Sequence, residues 1–186
     1  VYKRQALSEL IQETADEIRY LESVSNSLDI ALNEADLGQI KEELTASGYV
    51  RRKFTKKKVK LTNKPMHYIS SDGYDIYVGK NNIQNDELTF SFANGGDWWF
   101  HAKGAPGSHV IVKTNGDELP DRTFEEAGRL AAYYSKNHGS DKVEIDYIEK
   151  KHVKKPNGAK PGFVVYYTNY SLVIDSDISN LKVVQD

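Results

Sequence analysis

Cysteine is absent from this 186-residue sequence, which excludes disulfide bonds and cysteine-ligated zinc. The chain also lacks a run of about 18 apolar residues, the length that a membrane-spanning helix needs. It shows no positively charged segment followed by an apolar one, the pattern of a secretory signal. We therefore expect a cytoplasmic protein with no membrane partner. The chain is long enough to bury a full hydrophobic core.

Acidic residues are missing from two parts of a sequence whose net charge is −2. Residues 1–50 hold four Lys or Arg and ten Asp or Glu, whereas Arg51 to Lys64 holds eight basic residues and no acidic one. A second acid-free stretch runs from Lys150 through Ile174. Two basic patches in an otherwise acidic chain indicate a polyanionic partner that is contacted at defined places.

The first thirty residues have the pattern of a helix that packs along one partner helix. Its stripe steps by four and three residues and comprises Leu7, Ile11, Thr14, Ile18, Leu21, Ser25 and Leu28. We interpret this helix as one arm of a coiled-coil hairpin whose other arm precedes Val1, so we expect a fragment of a longer protein. In isolation the stripe is exposed or pairs with a second copy as a dimer. A second, short helix is predicted to end at Gly48.

The segment from residue 49 to Pro65 is rich in lysine and has too few apolar positions for a core. We therefore divide the chain into a helical region at 1–48, a basic linker at 49–65 and a domain at 66–186. A merely solvating linker and a nucleic-acid contact explain such a lysine run about equally well. The candidate contacts in this segment are Arg51, Arg52, Lys56 and Lys57.

From Met66 onward the sequence predicts short strands with two helices. Asp72-Gly73 predicts a β-hairpin turn, Asn85 is expected to cap the first helix, and Thr123 with Glu126 to form a capping box on the second. Strands are predicted at residues 66–71, 74–78, 98–100, 110–112, 143–148, 163–167 and 172–174. Since no regular βαβ repeat is present, the fold class is α+β with a mixed, mainly antiparallel sheet.

The stretch DWWFHAKGAPGSHVIV at residues 97–112 reads as a strand, a turn and a second strand. Period-2 alternation places Trp98 and Phe100 on one face and Trp99 and His101 on the other. We expect Trp99 and His101 to face outward and to stack on, or hydrogen-bond to, unpaired RNA bases. The alternative is an aromatic strand that belongs to the core.

Asp97, His101 and His109 lie close together in the sequence and offer a metal site or an acid-base pair. A metal-dependent nuclease is the corresponding function, but it ordinarily needs more convergent carboxylates or a nucleophile with its base. We therefore expect no catalytic residue, metal or cofactor, and no enzymatic activity.

The loop from Lys150 to Gly162 is basic and rich in glycine and proline. Lys154, Lys155 and Lys160 are predicted phosphate contacts, since lysine charges and close backbone amides suit phosphate groups. A solvated hairpin loop is an equally good interpretation.

Four motifs resemble, in order, the C-terminal NFACT-R domain of the NFACT family: SSDGYDIYVGKNNIQNDELTF, DWWFHAKGAPGSHVIV, EEAGRLAAYYSK and VKKPNGAKPG. The resemblance covers about residues 66–175, and residues 1–48 are similar to the end of the family's coiled-coil middle region. The matching positions are Asp72, Gly73, Gly79, Asn81, Asn85, Asp86, Asp97, Trp99, Phe100, His101, Pro106, Gly107, Ser108, His109, Lys155, Gly158, Lys160, Pro161 and Gly162.

The resemblance implies an RNA-binding fragment of a ribosome-associated quality control factor. Members of the family bind large ribosomal subunits obstructed by peptidyl-tRNA and recruit tRNA, so that the stalled chain receives an untemplated alanine tail. The implied partners are rRNA of the large subunit and tRNA, and peptide transfer belongs to the ribosome. The candidate nucleic-acid contacts are then Lys154, Lys155, Lys160, Trp99, His101, His109, Arg51, Arg52, Lys56 and Lys57. A fibronectin-binding surface adhesin, after an older family name, is the alternative.

Overall fold

Four α-helices and a six-stranded sheet make up the fold of the described residues, 2–51 and 63–184, in a computed structural model. The helices α1 (Tyr2–Ile30) and α2 (Glu34–Ala46) form a pair, because α2 folds back along the C-terminal half of α1. No helix within the described ranges has an apolar stretch long enough to cross a membrane.

The helix pair is held by a small apolar cluster of Tyr20, Val24 and Ile40. Asn33 caps α2 by accepting the Asp36 amide N–H at 3.0 Å. Directly after α2, Gly48 has a φ of +83°, which confirms the predicted helix end. Towards the N terminus of α1 the stripe is exposed at Leu7, Ile11 and Ile18, and the neighbouring Leu10 is exposed as well. Its pairing with an upstream arm or a second copy stays a prediction.

The sheet is antiparallel throughout, and its strand order is β1-β2-β4-β3-β5-β6. The strands are β1 (Met66–Ile69), β2 (Asp75–Val78), β3 (Trp98–Ala102), β4 (Val110–Val112), β5 (Val143–Glu149) and β6 (Tyr170–Ile174). The α+β class is confirmed. The predicted hairpin of β3 and β4 is confirmed as well, with Trp99 opposite Ile111.

Both faces of the sheet are covered. Helix α4 (Asp121–Tyr133) packs on one face over Phe100, Ile145 and the other residues of the main core. The opposite face, which carries Trp99, lies beneath helix α3 (Asn82–Glu87), the π-helical turn Leu88–Phe92 and parts of the segment 153–166. Because this layer covers the Trp99 face of the sheet, that face cannot itself be the surface that binds a ligand.

The cap of α3 differs from the prediction. Asn81, not Asn85, is the N-cap, because its side chain accepts the Gln84 amide N–H at 3.0 Å. Asn85 lies inside the helix, and its side-chain oxygen instead accepts the amide N–H of His109 at 3.0 Å. A tertiary contact therefore uses the oxygen that we had assigned to the helix end.

The predicted capping box on α4 is also wrong. Pro120 occupies the N-cap position and makes no side-chain cap. Thr123 donates to the Asp72 carboxylate at 2.8 Å, and the Glu126 carboxylate accepts the Ser71 amide N–H at 2.8 Å. Both side chains therefore tie α4 to the β1–β2 turn.

Candidate nucleic-acid interface

Trp99 is fully buried. The prediction that it faces outward is therefore wrong. Its side chain packs with Ile111 and Ile148. The rings of His109 and Tyr166 each lie 5.1 Å from the Trp99 ring, centroid to centroid. Trp99 thus belongs to the core, which was the alternative interpretation. Its ring has no exposed face on which an RNA base could stack.

His109 is buried among hydrogen-bond partners. Its Nδ1 lies 2.8 Å from the Thr89 hydroxyl, and its backbone N–H donates to the Asn85 side-chain oxygen at 3.0 Å. Burial lowers the pKa of His109 well below 6.5, so the ring is neutral at pH 7. The predicted nucleic-acid contact of His109 is therefore corrected, because a neutral, enclosed imidazole cannot meet a phosphate.

His101 sits between the same aromatic groups. Its ring stacks on Trp99 at 5.6 Å and meets His109 edge-on at 5.6 Å. Burial lowers the pKa of His101 to about 4, although a hydrogen bond to the Gly107 backbone opposes that shift. His101 is therefore partly enclosed beside the turn between β3 and β4, but it is not fully buried, and its predicted contact with RNA stays a prediction.

Asp97 is separated from the two histidines by the length of the hairpin. It precedes β3, whereas His101 is near the end of that strand and His109 precedes β4. Its carboxylate accepts the Asn94 amide N–H at 2.7 Å and the Thr114 amide N–H at 3.1 Å. Among residues 2–51 and 63–184, no three acidic, histidine or cysteine side chains are placed to hold a metal ion.

The basic loop, residues 150–162, begins with a short 3₁₀ turn and crosses to the next segment through one backbone pair. Lys154 and Val165 exchange two N–H···O bonds of 2.9 Å each. The strand predicted at 163–167 is reduced to this single bridge. The conformation changes before it, since Gly162 adopts a φ of +78° that a strand does not allow.

Asp86, on α3, anchors the basic loop from below. Its carboxylate binds the Lys155 ammonium at 2.8 and 3.0 Å and accepts the Gly162 amide N–H at 3.1 Å. Lys155 also donates to the carbonyl oxygen of Lys160 at 2.6 Å. Lys155 is therefore a structural cation whose charge is already met, which weakens its case as a phosphate contact.

Gly162 rests directly on the buried side chain of Asn82. A Cβ atom at position 162 would lie 2.4 Å from the Asn82 Oδ1 atom. Asn82 in turn donates to the Ser23 hydroxyl at 2.8 Å and to the Glu43 carboxylate at 2.9 Å. Burial raises the pKa of Glu43. A polar layer thus joins the basic loop to both α1 and α2.

Lys160 makes a second connection to the helix pair. Its ammonium lies 4.4 Å from the centre of the Tyr20 ring and 5.5 Å from that of Tyr49. It also donates to the Tyr49 hydroxyl at 3.3 Å. Cation–π contacts of this kind hold a charge in place while one side stays open to solvent. Lys160 is accordingly exposed, but its position is fixed.

Lys154 differs from the other two predicted lysines. Its side chain is exposed and has no ion-pair or hydrogen-bond partner in the part of the chain that the structure describes. Its backbone, by contrast, is held by the pair with Val165. Lys154 is therefore an uncompensated cation on a fixed backbone. Its role as a phosphate contact stays a prediction, and its exposed side chain is accessible to a phosphate group.

Of the four candidate contacts in the basic linker, the structure describes only Arg51. Arg51 is exposed at the end of the helix pair. Arg52, Lys56 and Lys57 lie outside the described residues, and their predicted contacts stay predictions.

Two exposed aromatic side chains were missed by sequence reasoning. Phe163 is 46% exposed and Tyr167 is 84% exposed. They stand two residues before and two residues after Val165, the partner of Lys154. The predicted strand over 163–167 did not identify these two side chains as exposed. The signal in the sequence was their place directly after a loop rich in lysine, glycine and proline.

Comparison with known families agrees with this geometry. Residues 64–168 match the model of the NFACT protein RNA binding domain, and residues 2–63 match that of the NFACT N-terminal and middle domains. The chain belongs to the NFACT family. The resemblance drawn from its four motifs is confirmed.

Curated NFACT relatives align with nearly the whole chain. The "Rqc2 homolog RqcH" of Streptococcus suis is 45% identical over 95% of this chain and 32% of its own length. The protein of the same name in Bacillus subtilis is 41% identical over 92% of this chain and 30% of its own length. The chain thus spans about a third of the length of these relatives.

A solved structure shares the fold. The C-terminal part of the fibronectin/fibrinogen-binding protein from Streptococcus suis superposes with a TM-score of 0.86 at 43% identity. The alignment covers 94% of this chain and 70% of the solved chain. The solved chain therefore shares the arrangement of helix pair and sheet.

Proposed function

We propose that this NFACT chain is the RNA-contacting C-terminal part of a cytoplasmic ribosome quality control factor. In that role it helps to place the factor on large ribosomal subunits obstructed by peptidyl-tRNA, where tRNA is recruited for untemplated alanine tailing. The names and the family of its relatives support this role. The chain itself contributes binding and no catalytic step.

The observation that carries the proposal is the fixed basic loop with the free cation of Lys154. Four contacts hold that loop: the Lys154–Val165 backbone pair, the Asp86 carboxylate, the Asn82 side chain and the tyrosines around Lys160. A cation on a preorganised backbone binds phosphate without the entropic cost of ordering a loop. Such contacts release counterions from RNA and make binding depend on salt.

The test is binding of this chain to purified large ribosomal subunits and to labelled tRNA across a series of salt concentrations. Lys154→Ala removes the free cation and leaves the anchors of the loop in place. Lys142→Ala is the matched control, because Lys142 is an exposed lysine that precedes β5, whereas the basic loop follows that strand. Lys155→Ala is unsuitable as a probe, since it also removes the partner of Asp86.

We expect binding that weakens steeply with salt, and a shallower slope for Lys154→Ala by about one phosphate contact. Lys142→Ala is expected to match the unchanged chain. Absence of binding to both RNAs at low salt would overturn the proposal. An equal effect of the two variants would move the contact away from the basic loop.

Binding of fibronectin or fibrinogen is a second candidate function, favoured by the name of the solved relative. It predicts saturable binding of this chain to immobilised fibronectin or fibrinogen. If the basic loop binds both kinds of ligand, tRNA is expected to compete with fibronectin or fibrinogen for the chain. No binding at concentrations well above those needed for RNA would remove this candidate.

A further inference from the structure

We propose that Phe163 and Tyr167 form a stacking site for an unpaired RNA base next to Lys154. This inference rests on the proposed RNA-binding function and adds the class of RNA that the loop selects. The chemistry needed is an open aromatic face beside a cation that binds the phosphate of the same nucleotide. Both features lie next to the backbone pair between Lys154 and Val165, since Phe163 and Tyr167 are each two residues from Val165.

The two rings are available for stacking. Tyr167 is more exposed than any other aromatic side chain in the described ranges, and Phe163 is half exposed. Neither ring contacts another aromatic ring among those residues. The neighbouring Tyr166 behaves differently, because it packs on Trp99 at 5.1 Å and donates its hydroxyl to Asp146 at 2.8 Å.

The residues that alternate with the exposed rings hold the segment in place. Val164 and Tyr166 pack into the cluster beneath the loop, while Phe163 and Tyr167 remain at its surface. Val165, between them, is tied to Lys154 by the backbone pair. The segment from 163 to 167 is therefore held at alternate residues, and the outward rings need little ordering when a ligand binds.

Charge favours RNA over an apolar protein partner at this surface. No acidic residue occurs from Lys150 through Ile174, and Lys154 is free to meet a phosphate. A base inside an RNA duplex offers no open face, whereas a base in a loop, a bulge or a single strand does. The combination of rings and cation thus selects unpaired nucleotides.

The experiment compares two RNA probes of equal length and charge. One is a hairpin whose loop carries the fluorescent base 2-aminopurine, and the other is a blunt duplex. The variants are Tyr167→Leu, which keeps apolar volume but removes the aromatic face, and Tyr167→Phe, which keeps the ring. Both substitutions lie at an exposed position, so we expect equal urea midpoints for the three proteins.

We expect quenching of 2-aminopurine on binding, and a loss of hairpin affinity of roughly 5- to 100-fold for Tyr167→Leu. Tyr167→Phe is expected to retain the affinity. Duplex affinity and the salt slope are expected to be the same in all three proteins. Phe163→Leu is expected to weaken hairpin binding in the same direction.

The outcomes separate this inference from the function on which it rests. Salt-dependent binding that responds to Lys154→Ala but not to Tyr167→Leu would overturn the stacking site and keep the RNA-binding function. A Tyr167→Leu effect of equal size on hairpin and duplex would also overturn it. No binding of either probe would overturn both.

Discussion

Replacement of Gly162 by alanine tests whether the basic loop depends on its seat against Asn82. The position has a φ of +78°, and a Cβ atom there would lie 2.4 Å from Oδ1 and 2.8 Å from Cγ of Asn82. Asn82 has no easy way to withdraw, since it is buried and donates to Ser23 and Glu43. Gly162→Ala therefore forces either the loop or the polar layer to move.

The magnitude follows from two costs. A left-handed backbone costs a non-glycine residue about 1–2 kcal/mol, and crowding in a packed site costs a further 1–3 kcal/mol or so. We expect Gly162→Ala to lower the free energy of unfolding by about 2–5 kcal/mol. Gly158→Ala is the matched control, because its φ is +73° but its Cβ would meet no atom within 4 Å. That variant is expected to lose only about 1–2 kcal/mol.

The assay is equilibrium urea denaturation of the unchanged chain and the two variants, followed by tRNA binding under native conditions. Gly162→Ala is expected to be the less stable variant and to bind tRNA more weakly, because the loop is displaced. Equal stability losses for the two variants would refute the view that Asn82 seats the loop. A loss below about 1 kcal/mol for Gly162→Ala would refute it as well, since backbone strain alone exceeds that value.

Three further outcomes follow from the buried groups. Trp99→Ala is expected to lower the free energy of unfolding by about 3–5 kcal/mol, as for a fully buried aromatic side chain, and urea denaturation measures the loss. The pKa of His101 is lowered to about 4 in the folded chain, so its contribution to stability is complete above pH 6.5 and is lost as the pH falls towards 4. His101→Gln is expected to remove that part of the pH dependence, which a urea midpoint series from pH 7 to pH 4 would show. Lys80→Met leaves the buried Asp36 carboxylate without its ammonium partner at 2.7 Å, and we expect a loss of about 3–5 kcal/mol in the same assay.

Much of the fold could be predicted from local patterns. Alternation along β3 correctly separated Trp98 and Phe100 from Trp99, and the Asp-Gly pair marked the turn between β1 and β2. These features depend on residues that are close in sequence. Helix ends were less secure, since Asn85 and Thr123 have cap-like side chains that tertiary partners use instead.

The candidate site could be predicted only in part, because its decisive contacts are long-range. Alternation shows which side chains share a face of a strand, but it does not show that α3 and the segment 153–166 cover the face of Trp99. A charge count likewise treats Lys154 and Lys155 as equals. Asp86, 69 residues earlier, neutralises only Lys155. Alternation separates Tyr167 from Tyr166, but it does not show which of the two side chains is covered.

The most direct test of the central claim is photocrosslinking from the surface of the basic loop. A photoreactive side chain is placed at position 154 in one protein and at position 142 in another, and each is irradiated with large ribosomal subunits obstructed by peptidyl-tRNA. We predict crosslinks to rRNA or tRNA from position 154 and none above background from position 142. Crosslinks from position 154 to protein alone, or equal RNA crosslinking from both positions, would contradict the claim that this loop contacts RNA.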